Sequence, residues 1–271
     1  MEWGIYTMKR SIFRLFSSAI ILAMLVTVVG CTTAKPKITE VKETPVPAKT
    51  TIVMGTEAGF PPFEFHGDSG KIEGFDVEIA NNIAVTLNAE LKIEDMGFDS
   101  LLAALETGKV DFVSAGMTVT EERKKSVDFS DTYYKSSQVI MVRSSDTTIK
   151  AKNDLKGKTI GVQEGTVGDL VASDEFKDKE PKRYKKYVDA IMDLKNKKID
   201  AIVLDAIPAA SLQKMNPTDV KVLEEKLTEE DYAIAVKKGN TELLTKINAT
   251  LKAIKENGKY DELIKKYIDE K

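Results

Sequence analysis

Short apolar runs alternate along the chain with stretches in which apolar residues recur every three or four positions. The runs predict β-strands over residues 51–56, 91–95, 110–114, 158–163, 184–188, 199–205 and 232–236. The periodic stretches predict helices, and the first carries Ile79, Ile83 and Leu87 on one face, four residues apart. Strands that alternate with helices are typical of a parallel α/β fold.

Two further helices have predictable ends. Leu101, Leu102 and Leu105 form an apolar face that stops near Gly108. A long helix near the C-terminus repeats apolar residues between positions 243 and 254, and we expect Gly258 to cap it. The chain contains no tandem repeat and no glycine-rich phosphate loop, which argues against a nucleotide-binding motif.

The N-terminus has the pattern of an export signal. Lys9, Arg10 and Arg14 precede sixteen uncharged residues and then Cys31. This run is shorter than the roughly 20 apolar residues of a membrane-spanning helix, but it suits the core of a signal peptide. The small residues before Cys31 resemble a lipobox, so we expect residues 1–30 to be cleaved and the thiol to be lipidated. A plain membrane anchor is the alternative, and both interpretations place the remainder outside the cytoplasmic membrane.

Residues 31–50 are expected to form a flexible tether behind the lipidated cysteine. The stretch is rich in proline and lysine and has no periodic apolar face. The formal net charge of the whole chain is −3, and its lysine-rich runs alternate with acidic residues. We therefore expect no nucleic-acid partner, because such partners favour a basic face. The only cysteine is Cys31, so the chain forms no disulfide within itself.

Residues 111–134 carry the most informative chemistry. A predicted strand ends at Gly116, Thr118 follows, and a charged turn then carries Arg123. Glycine lets a ligand approach the backbone, and the threonine hydroxyl offers one hydrogen bond. The guanidinium holds both oxygens of a carboxylate in a fixed fork. This pattern favours a carboxylate receptor, and the alternative is an ordinary strand and turn with a surface arginine.

The same segment contributes to a resemblance that extends from about residue 51 to the C-terminus. The matching segments are VMGTEAGFPPFEF (53–65), GKIEGFDVEIANNIA (70–84), GFDSLLAALETGKVD (97–111), AGMTVTEERKKSVDFSDTYY (115–134), GKTIGVQEGT (157–166) and AIVLDAIPA (201–209). They resemble the motifs of the polar amino-acid-binding proteins of ABC importers, the family-3 solute-binding proteins. Each motif alone is modest, and their order and spacing make the resemblance specific.

The resemblance implies an α/β fold of two lobes, the type II fold of periplasmic binding proteins, with the ligand in the cleft between the lobes. Lobe 1 would comprise residues 51–136 and 232–271, and lobe 2 residues 137–231. The implied function is that of an extracytoplasmic, lipid-anchored monomer. It would capture a polar L-amino acid and deliver it to the transmembrane subunits of the permease.

A free amino acid needs a partner for each of its two charges. The resemblance assigns the ligand carboxylate to Arg123 and the ammonium to Asp205, with further bonds to the Gly116 carbonyl and the Thr118 hydroxyl. Asp205 ends a predicted strand, where open α/β sheets bind ligands. From residue types alone, Asp205 could equally be a helix N-cap.

Other implied ligand contacts come from both lobes. Thr166 and the amide of Val167 open a predicted helix whose N-terminus attracts carboxylates, although Thr166 could be a simple helix cap.

By resemblance, Phe60 and Phe98 sandwich the ligand side chain; the alternative is that they are ordinary core aromatics. Glu57 and Gln163 are the expected specificity residues. An acidic Glu57 favours a basic amino acid such as arginine or lysine, with glutamine next.

Two other functions were considered. Some proteins that resemble this family are cyclohexadienyl dehydratases, but elimination needs a general acid, and Asp205 suits an ammonium that their substrate lacks. An amino-acid sensor domain is the second alternative. His66 is the only histidine, and we expect it at the surface. One histidine and one lipidated cysteine are too few ligands for a conventional zinc site. We therefore expect a binding protein rather than an enzyme, without metal or cofactor.

Overall fold

The structure is a computed structural model that describes residues 50–269. The predicted signal peptide, the lipidation site at Cys31 and residues 32–49 of the predicted tether lie outside the described residues. In the described part of the chain, no helix is both long and apolar enough to cross a membrane.

Fifteen strands are β1 Thr50–Thr56, β2 Gly59–Phe60, β3 Glu64–His66, β4 Ile72–Glu73, β5 Ala89–Asp95, β6 Phe112–Val113, β7 Val127–Phe129, β8 Tyr134–Ser136, β9 Gln138–Arg143, β10 Ile160–Gln163, β11 Lys182–Tyr184, β12 Ala201–Asp205, β13 Val220–Val222, β14 Glu230–Tyr232 and β15 Ala235–Lys237. The α-helices are α1 Phe75–Thr86, α2 Leu101–Thr107, α3 Val167–Glu175, α4 Tyr187–Lys195, α5 Ala206–Met215, α6 Thr241–Glu256 and α7 Lys259–Ile264. Three 3₁₀ turns, Phe98–Ser100, Arg123–Lys125 and Lys152–Leu155, and a π-helical turn, Lys265–Asp269, complete the described chain.

The first lobe is built on a five-stranded sheet in the order β5-β1-β6-β15-β7. β1 pairs in parallel with β5 and β6, whereas β15 runs antiparallel to β6 and β7. Side chains alternate between the two faces of a strand. Along β1, Ile52 and Met54 therefore pack in the cluster with α1 and α6, and Val53 packs against the cluster that contains Leu101 and Leu105 of α2.

The second lobe is built on a sheet in the order β11-β10-β12-β9-β13. β10 pairs in parallel with β11 and β12, and β9 runs antiparallel to β12 and β13. The side chains of β12 again divide between two faces. Ile202 and Leu204 join the cluster that includes residues of α4 and α5, and Val203 joins the one that includes Ala172 of α3. Helices thus cover both faces of each sheet, which makes the fold doubly wound.

The chain passes between the two sheets twice, and the two crossing segments pair with each other. β8 and β14 form an antiparallel ribbon with Glu230 opposite Ser136 and Tyr232 opposite Tyr134. This two-stranded ribbon therefore contains both passages of the chain between the two sheets.

The alternation of strands and helices is confirmed, and α2 ends at Gly108 in the left-handed conformation with φ +77°. Three details of the prediction are wrong. The predicted strand 232–236 is two strands, because the chain changes sheets between β14 and β15. The predicted strand 184–188 ends at Tyr184, and α4 begins three residues later. Gly258 does not cap α6, which has Asn257 as its C-cap; Gly258 precedes α7 instead.

Candidate functional site

Predicted site residues collect where parallel strands of the two sheets end. Glu57 follows β1 and Gly116 lies beyond β6, while Gln163 and Asp205 are the last residues of β10 and β12. The carboxyl ends of parallel strands lie at one edge of a sheet, where open α/β sheets bind ligands. Together these edges border one small cavity, in which about 10 Å³ is accessible to the centre of a water molecule.

Eight residues line this cavity. They are Glu57, Phe60, Glu64, Phe98, Ala115, Gly116, Gln163 and Asp205. Six of the eight were predicted from the sequence as site residues, and Glu64 and Ala115 were missed. The other predicted residues, Thr118, Arg123, Thr166 and Val167, do not line the cavity, but two of them contact residues that do: Arg123 contacts Phe98, and Thr166 donates to the Gln163 carbonyl.

Arg123 lies on the 3₁₀ turn after the first-lobe strand β6, and it is only 8% exposed. Its Nη1 donates to the Thr118 carbonyl at 2.6 Å, and its Nη2 donates to the Gly165 carbonyl of the second lobe at 3.0 Å. The guanidinium carbon lies 5.2 Å from the centre of the Phe98 ring, within the range of a cation–π contact. Burial lowers the pKa of Arg123 to about 10, and the carboxyl groups of Asp205 and Glu230 oppose this shift. The arginine stays cationic at neutral pH.

Asp205 is 4% exposed and stands immediately before α5. It occupies the N-cap position, but its side chain makes no cap hydrogen bond to the helix. Instead, Oδ1 accepts a hydrogen bond from Ser136 Oγ at 3.3 Å and a short one from the Tyr232 hydroxyl. Burial raises the pKa of Asp205, and the nearby Glu230 carboxyl adds to the rise. The site therefore holds a buried acid that lacks a cationic partner in direct contact among residues 50–269.

The alternative considered for Thr166, a helix cap, is observed. Thr166 Oγ1 accepts from the amide of Asp169 at 3.3 Å and donates to the Gln163 carbonyl at 2.8 Å. Val167 is the first residue of α3, so its amide lies at the electropositive end of the helix. Because the Gly165 carbonyl accepts from Arg123, this turn also contacts the first lobe directly.

Thr118 is tied to an acidic residue that sequence reasoning missed. Thr118 Oγ1 donates to Glu230 Oε2 at 2.6 Å, and Thr228 donates to the other oxygen of Glu230 at 2.6 Å. The hydroxyl of Thr118 therefore gives its proton to Glu230, while its carbonyl accepts from Arg123. Glu230 anchors this part of the site to β14 of the connecting ribbon.

Gly116 is held by a second buried acid that was not predicted. Its backbone adopts φ +51°, and a side-chain Cβ at this position would lie 2.5 Å from the Phe60 ring. Asp76 Oδ2 accepts from the Gly116 amide at 2.9 Å, from Ser114 Oγ at 3.1 Å and from the Tyr133 hydroxyl at 2.6 Å. Burial raises the pKa of Asp76 to about 6. Asp76 thus positions the glycine turn that lines the cavity.

Phe60 and Phe98, which were predicted to sandwich the ligand side chain, have different surroundings in the structure. Phe60 and Phe98 both line the cavity. Phe60, however, stacks on Tyr187 of the second lobe with ring centres 6.3 Å apart, and it also packs on Phe63 at 5.9 Å. Tyr187 is fully buried at the start of α4 and was not predicted. Its position at a strand-to-helix junction is the only sequence signal that could have identified it.

Glu57 is 2% exposed and spans the cleft through its hydrogen bond. Oε2 accepts from Gln163 Nε2 of the second lobe at 2.9 Å, and Oε1 lies 3.7 Å from Lys186 Nζ. Gln163 Nε2 also donates to the Lys185 carbonyl at 2.8 Å. Burial raises the pKa of Glu57, although the Gln163 amide and Lys186 both oppose this.

The chain is similar to known proteins over most of its length. The family described as "Bacterial extracellular solute-binding proteins, family 3" matches residues 52–270. The "Arginine-binding extracellular protein ArtP" of Bacillus subtilis (strain 168) is 39% identical over 229 residues, which cover 81% of this chain and 87% of that protein.

Two solved structures are also similar. Holo ArgBP from T. maritima is 45% identical, with a TM-score of 0.74 over 80% of this chain and 95% of that one. An ancestral arginine-binding protein bound to glutamine is 42% identical, with a TM-score of 0.78 over 81% and 98%.

Proposed function

The chain belongs to the bacterial extracellular solute-binding proteins of family 3, and we propose that it captures a polar L-amino acid for an ABC importer. A basic amino acid, arginine or lysine, is the preferred ligand, and glutamine is next. The relative from Bacillus subtilis is an arginine-binding protein by name, and the ancestral relative binds glutamine. The function is binding and release at the permease, without chemical conversion.

One observation carries this proposal. A buried anion, Asp205 of the second lobe, lines the small cavity, and a buried cation, Arg123 of the first lobe, contacts Phe98, which lines the same cavity. Burying such charges is costly unless each has a partner. The α-carboxylate and α-ammonium of one amino acid would supply both partners at once.

We place the ligand carboxylate at Arg123 and next to the start of α3. A guanidinium has five N–H donors, and two of its nitrogens donate here to the carbonyls of Thr118 and Gly165. Its other N–H groups remain for the ligand, and Phe98 fixes the plane of the guanidinium. Thr166 and the Val167 amide would complete the carboxylate site from the second lobe.

We place the ligand ammonium between Asp205, the Gly116 carbonyl and the Thr118 hydroxyl oxygen. Asp205 Oδ1 is oriented by Tyr232 and Ser136, so the carboxylate is already held in place. Thr118 donates its proton to Glu230 and keeps lone pairs to accept from the ammonium. An ammonium at this point would offset the burial that raises the pKa of Asp205.

The side chain of the ligand would then extend between Phe60 and Phe98 toward Glu57 and Gln163. All four residues line the cavity. Aromatic faces attract cations, and a buried carboxylate gains most from a charged partner. This combination favours a guanidinium or ammonium group over an amide.

We also propose that the protein is a monomer tethered to the membrane by lipid on Cys31, with residues 31–50 as the flexible tether and residues 1–30 as the removed signal. Lobe 1 would comprise residues 51–136 and 232–271, and lobe 2 residues 137–231. Cys31→Ser should release the protein from the membrane fraction without changing ligand affinity. Retention of the serine variant through an uncleaved N-terminus would favour the plain anchor.

A thermal-shift screen against the twenty L-amino acids tests the ligand class. A ligand that binds only the folded state stabilises it by RT ln(1 + [L]/Kd), or about 2.7 kcal/mol at one hundred times Kd. We expect the largest shift with arginine or lysine. Agmatine, which is arginine without its α-carboxylate, is the matched control and should give almost no shift. If no amino acid raises the unfolding temperature, the proposed function is wrong.

A further inference from the structure

Glu64 is the one cavity-lining acid whose side chain receives no hydrogen bond from residues 50–269. It lies on β3, is 1% exposed and borders the same space as Glu57 and Asp205. Its Oε2 is buried without a hydrogen-bond partner in this part of the chain. Glu57 Oε1 also lacks a hydrogen-bond partner there, but Glu57 Oε2 accepts from Gln163, and Asp205 accepts from Ser136 and Tyr232. A buried carboxyl oxygen without a donor is costly, because it has lost its hydration without compensation.

The charged groups around Glu64 do not neutralise it. Burial raises its pKa well above the ordinary range, and the carboxyl groups of Asp76, Glu57, Asp205 and Asp95 raise it further. The phenol of Tyr133, which is also close enough to interact, donates its hydrogen bond to Asp76 instead. The ammonium of Lys186 lies beside Glu57 and Asp95, 3.7 Å from Glu57 Oε1. Glu64 thus lies among acidic groups, and no salt bridge joins it to a cation in the described chain.

The position of Glu64 relative to Phe60 indicates which kind of ligand group could contact both side chains. In the β2–β3 pairing Phe60 stands directly opposite Glu64, so the two side chains project from the same face. Phe60 offers an aromatic face and Glu64 a carboxyl group to the same cavity. A planar cation would stack on the first and form hydrogen bonds with the second.

We infer that Glu64 is a specificity residue that receives the cationic end of a basic ligand side chain, with arginine as the best fit. This inference rests on the proposed function, because it assumes that an amino acid occupies the cleft. Glu57 already has Gln163 and Lys186 as partners, so Glu64 is the acid that most needs a ligand cation. A guanidinium would give its carboxylate the paired donors that the protein does not supply.

Binding of a cationic side chain at Glu64 should change the number of protons that the protein holds. The raised pKa of Glu64 favours its protonated form, whereas a guanidinium stabilises the ionised form. Binding of cationic arginine should therefore release a proton from Glu64 and leave a carboxylate–guanidinium pair, in addition to any proton that the ligand ammonium displaces from Asp205, whose pKa is also raised. Citrulline has nearly the same shape with a neutral urea group and the same α-ammonium, so it should release fewer protons than arginine, by the contribution of Glu64.

The experiment is calorimetric titration of the wild type, Glu64→Gln and Glu73→Gln with L-arginine and L-citrulline, each in phosphate and in Tris. Glu73 is exposed on β4 of the same hairpin and provides the matched control. Glu64→Gln should weaken arginine binding by about tenfold or more and change citrulline binding little, because only arginine loses a charge partner. The wild type should release more protons with arginine than with citrulline, and in Glu64→Gln this difference should largely disappear.

The outcomes separate this inference from the proposed function. A wild type that binds none of the amino acids overturns the proposed function. A wild type that binds arginine, with equal losses for arginine and citrulline in Glu64→Gln or with no loss, overturns the assignment of Glu64 alone. The same holds if the wild type prefers citrulline. Should Glu64→Gln fail to fold, the comparison of the two ligands in the wild type still decides, because arginine that releases no more protons than citrulline contradicts the inference.

Discussion

Arg123 of the first lobe donates from Nη2 to the backbone carbonyl of Gly165 in the second lobe at 3.0 Å. The guanidinium proposed to hold the ligand carboxylate is therefore also a contact between the lobes. Gln163 and Glu57 make a second such contact at 2.9 Å, on the side of the cavity proposed for the ligand side chain. Both ends of the cleft are thus bridged by groups assigned to ligand recognition, which couples binding to lobe closure.

Removal of either charge at the backbone end should abolish measurable amino-acid binding. Arg123→Ala and Asp205→Ala each leave one ligand charge buried without a partner, at a cost of about 3–5 kcal/mol. Arg123→Lys should also bind poorly, because an ammonium cannot replace the planar fork. Isothermal titration with arginine and glutamine measures both losses.

Lys124→Ala is the matched control for these variants. Lys124 shares the 3₁₀ turn of Arg123 but is exposed and pairs with Glu121, so its removal should leave affinity unchanged. Circular dichroism should show intact secondary structure in all variants. Near wild-type titrations for both alanine variants would refute the assignment of the backbone-binding residues.

Ligand should shift the lobes toward a closed arrangement. Only a closed form lets Arg123 and Asp205 contact one amino acid together, so the ligand prefers that state and populates it. Small-angle scattering should give a smaller radius of gyration with saturating ligand. Identical scattering curves with and without ligand would contradict a closure that depends on binding.

A surface ion pair allows a finer test of the same closure. Lys185 of the second lobe donates to Asp99 of the first lobe at 2.8 Å. Lys185→Met removes this exposed contact, which is worth about 1 kcal/mol or less. The variant should bind slightly more weakly, and the difference from wild type should shrink as salt is added. A difference that does not depend on salt would mean that the pair does not stabilise closure.

The parts of the site that were predictable lie where the sequence pattern itself marks the end of a strand. Asp205 ends an apolar run, and Arg123 follows a glycine after another, so strand prediction placed both at ligand-binding edges. Asp76 and Glu230 gave no such signal. Their function depends on partners 40 and 112 residues away, Gly116 and Thr118, and these pairs meet only through the topology of the sheets.

Glu64 illustrates a signal that was present and not used. A single acid stands between Phe63 and Phe65, and Phe63 is fully buried. Strict alternation along β3 would place Glu64 on the opposite face from its neighbours, where exposure to solvent is the simple expectation. The packing of the second lobe against this hairpin buries that face as well, and no local pattern reports such a contact.

The stability of the protein should carry a specific dependence on pH from Asp76. Burial raises the pKa of this carboxyl from 3.8 to about 6. Between these values the folded state holds a proton that the unfolded state has lost, so the contribution of Asp76 to the unfolding free energy falls as pH rises. The loss is about 3 kcal/mol and is complete above about pH 6.

Urea unfolding of the wild type and Asp76→Asn at pH 4.5 and pH 7.5 isolates this contribution. The wild type should lose about 2–3 kcal/mol more than the variant between the two pH values, because other groups titrate in both proteins and cancel in the difference. Asp68→Asn, on the exposed turn of the β3–β4 hairpin, is the matched control. Parallel pH curves for the wild type and Asp76→Asn would show that Asp76 is not the group responsible.

Glu57 should distinguish charged from neutral ligands at the other end of the cavity. Glu57→Gln removes a buried negative charge while its hydrogen bond with Gln163 can be kept by an amide. Arginine and lysine should bind more weakly by about 2 kcal/mol, whereas glutamine should lose much less. Calorimetric titration of both proteins with the three amino acids at one fixed pH measures the contrast.

Replacement of Lys186 tests Glu57 in the opposite direction, because it removes a cation that lies near the Glu57 carboxylate. Its Nζ lies 3.7 Å from Glu57 Oε1 and partly neutralises the carboxylate that a ligand cation would use. Lys186→Met should therefore raise the affinity for arginine relative to glutamine, while Glu57→Gln lowers it. In the double variant the effect of Lys186→Met should largely disappear, because its partner charge is gone. If both single variants weaken arginine and glutamine equally, Glu57 acts only in lobe contact and the preference for a basic ligand must come from elsewhere in the cavity.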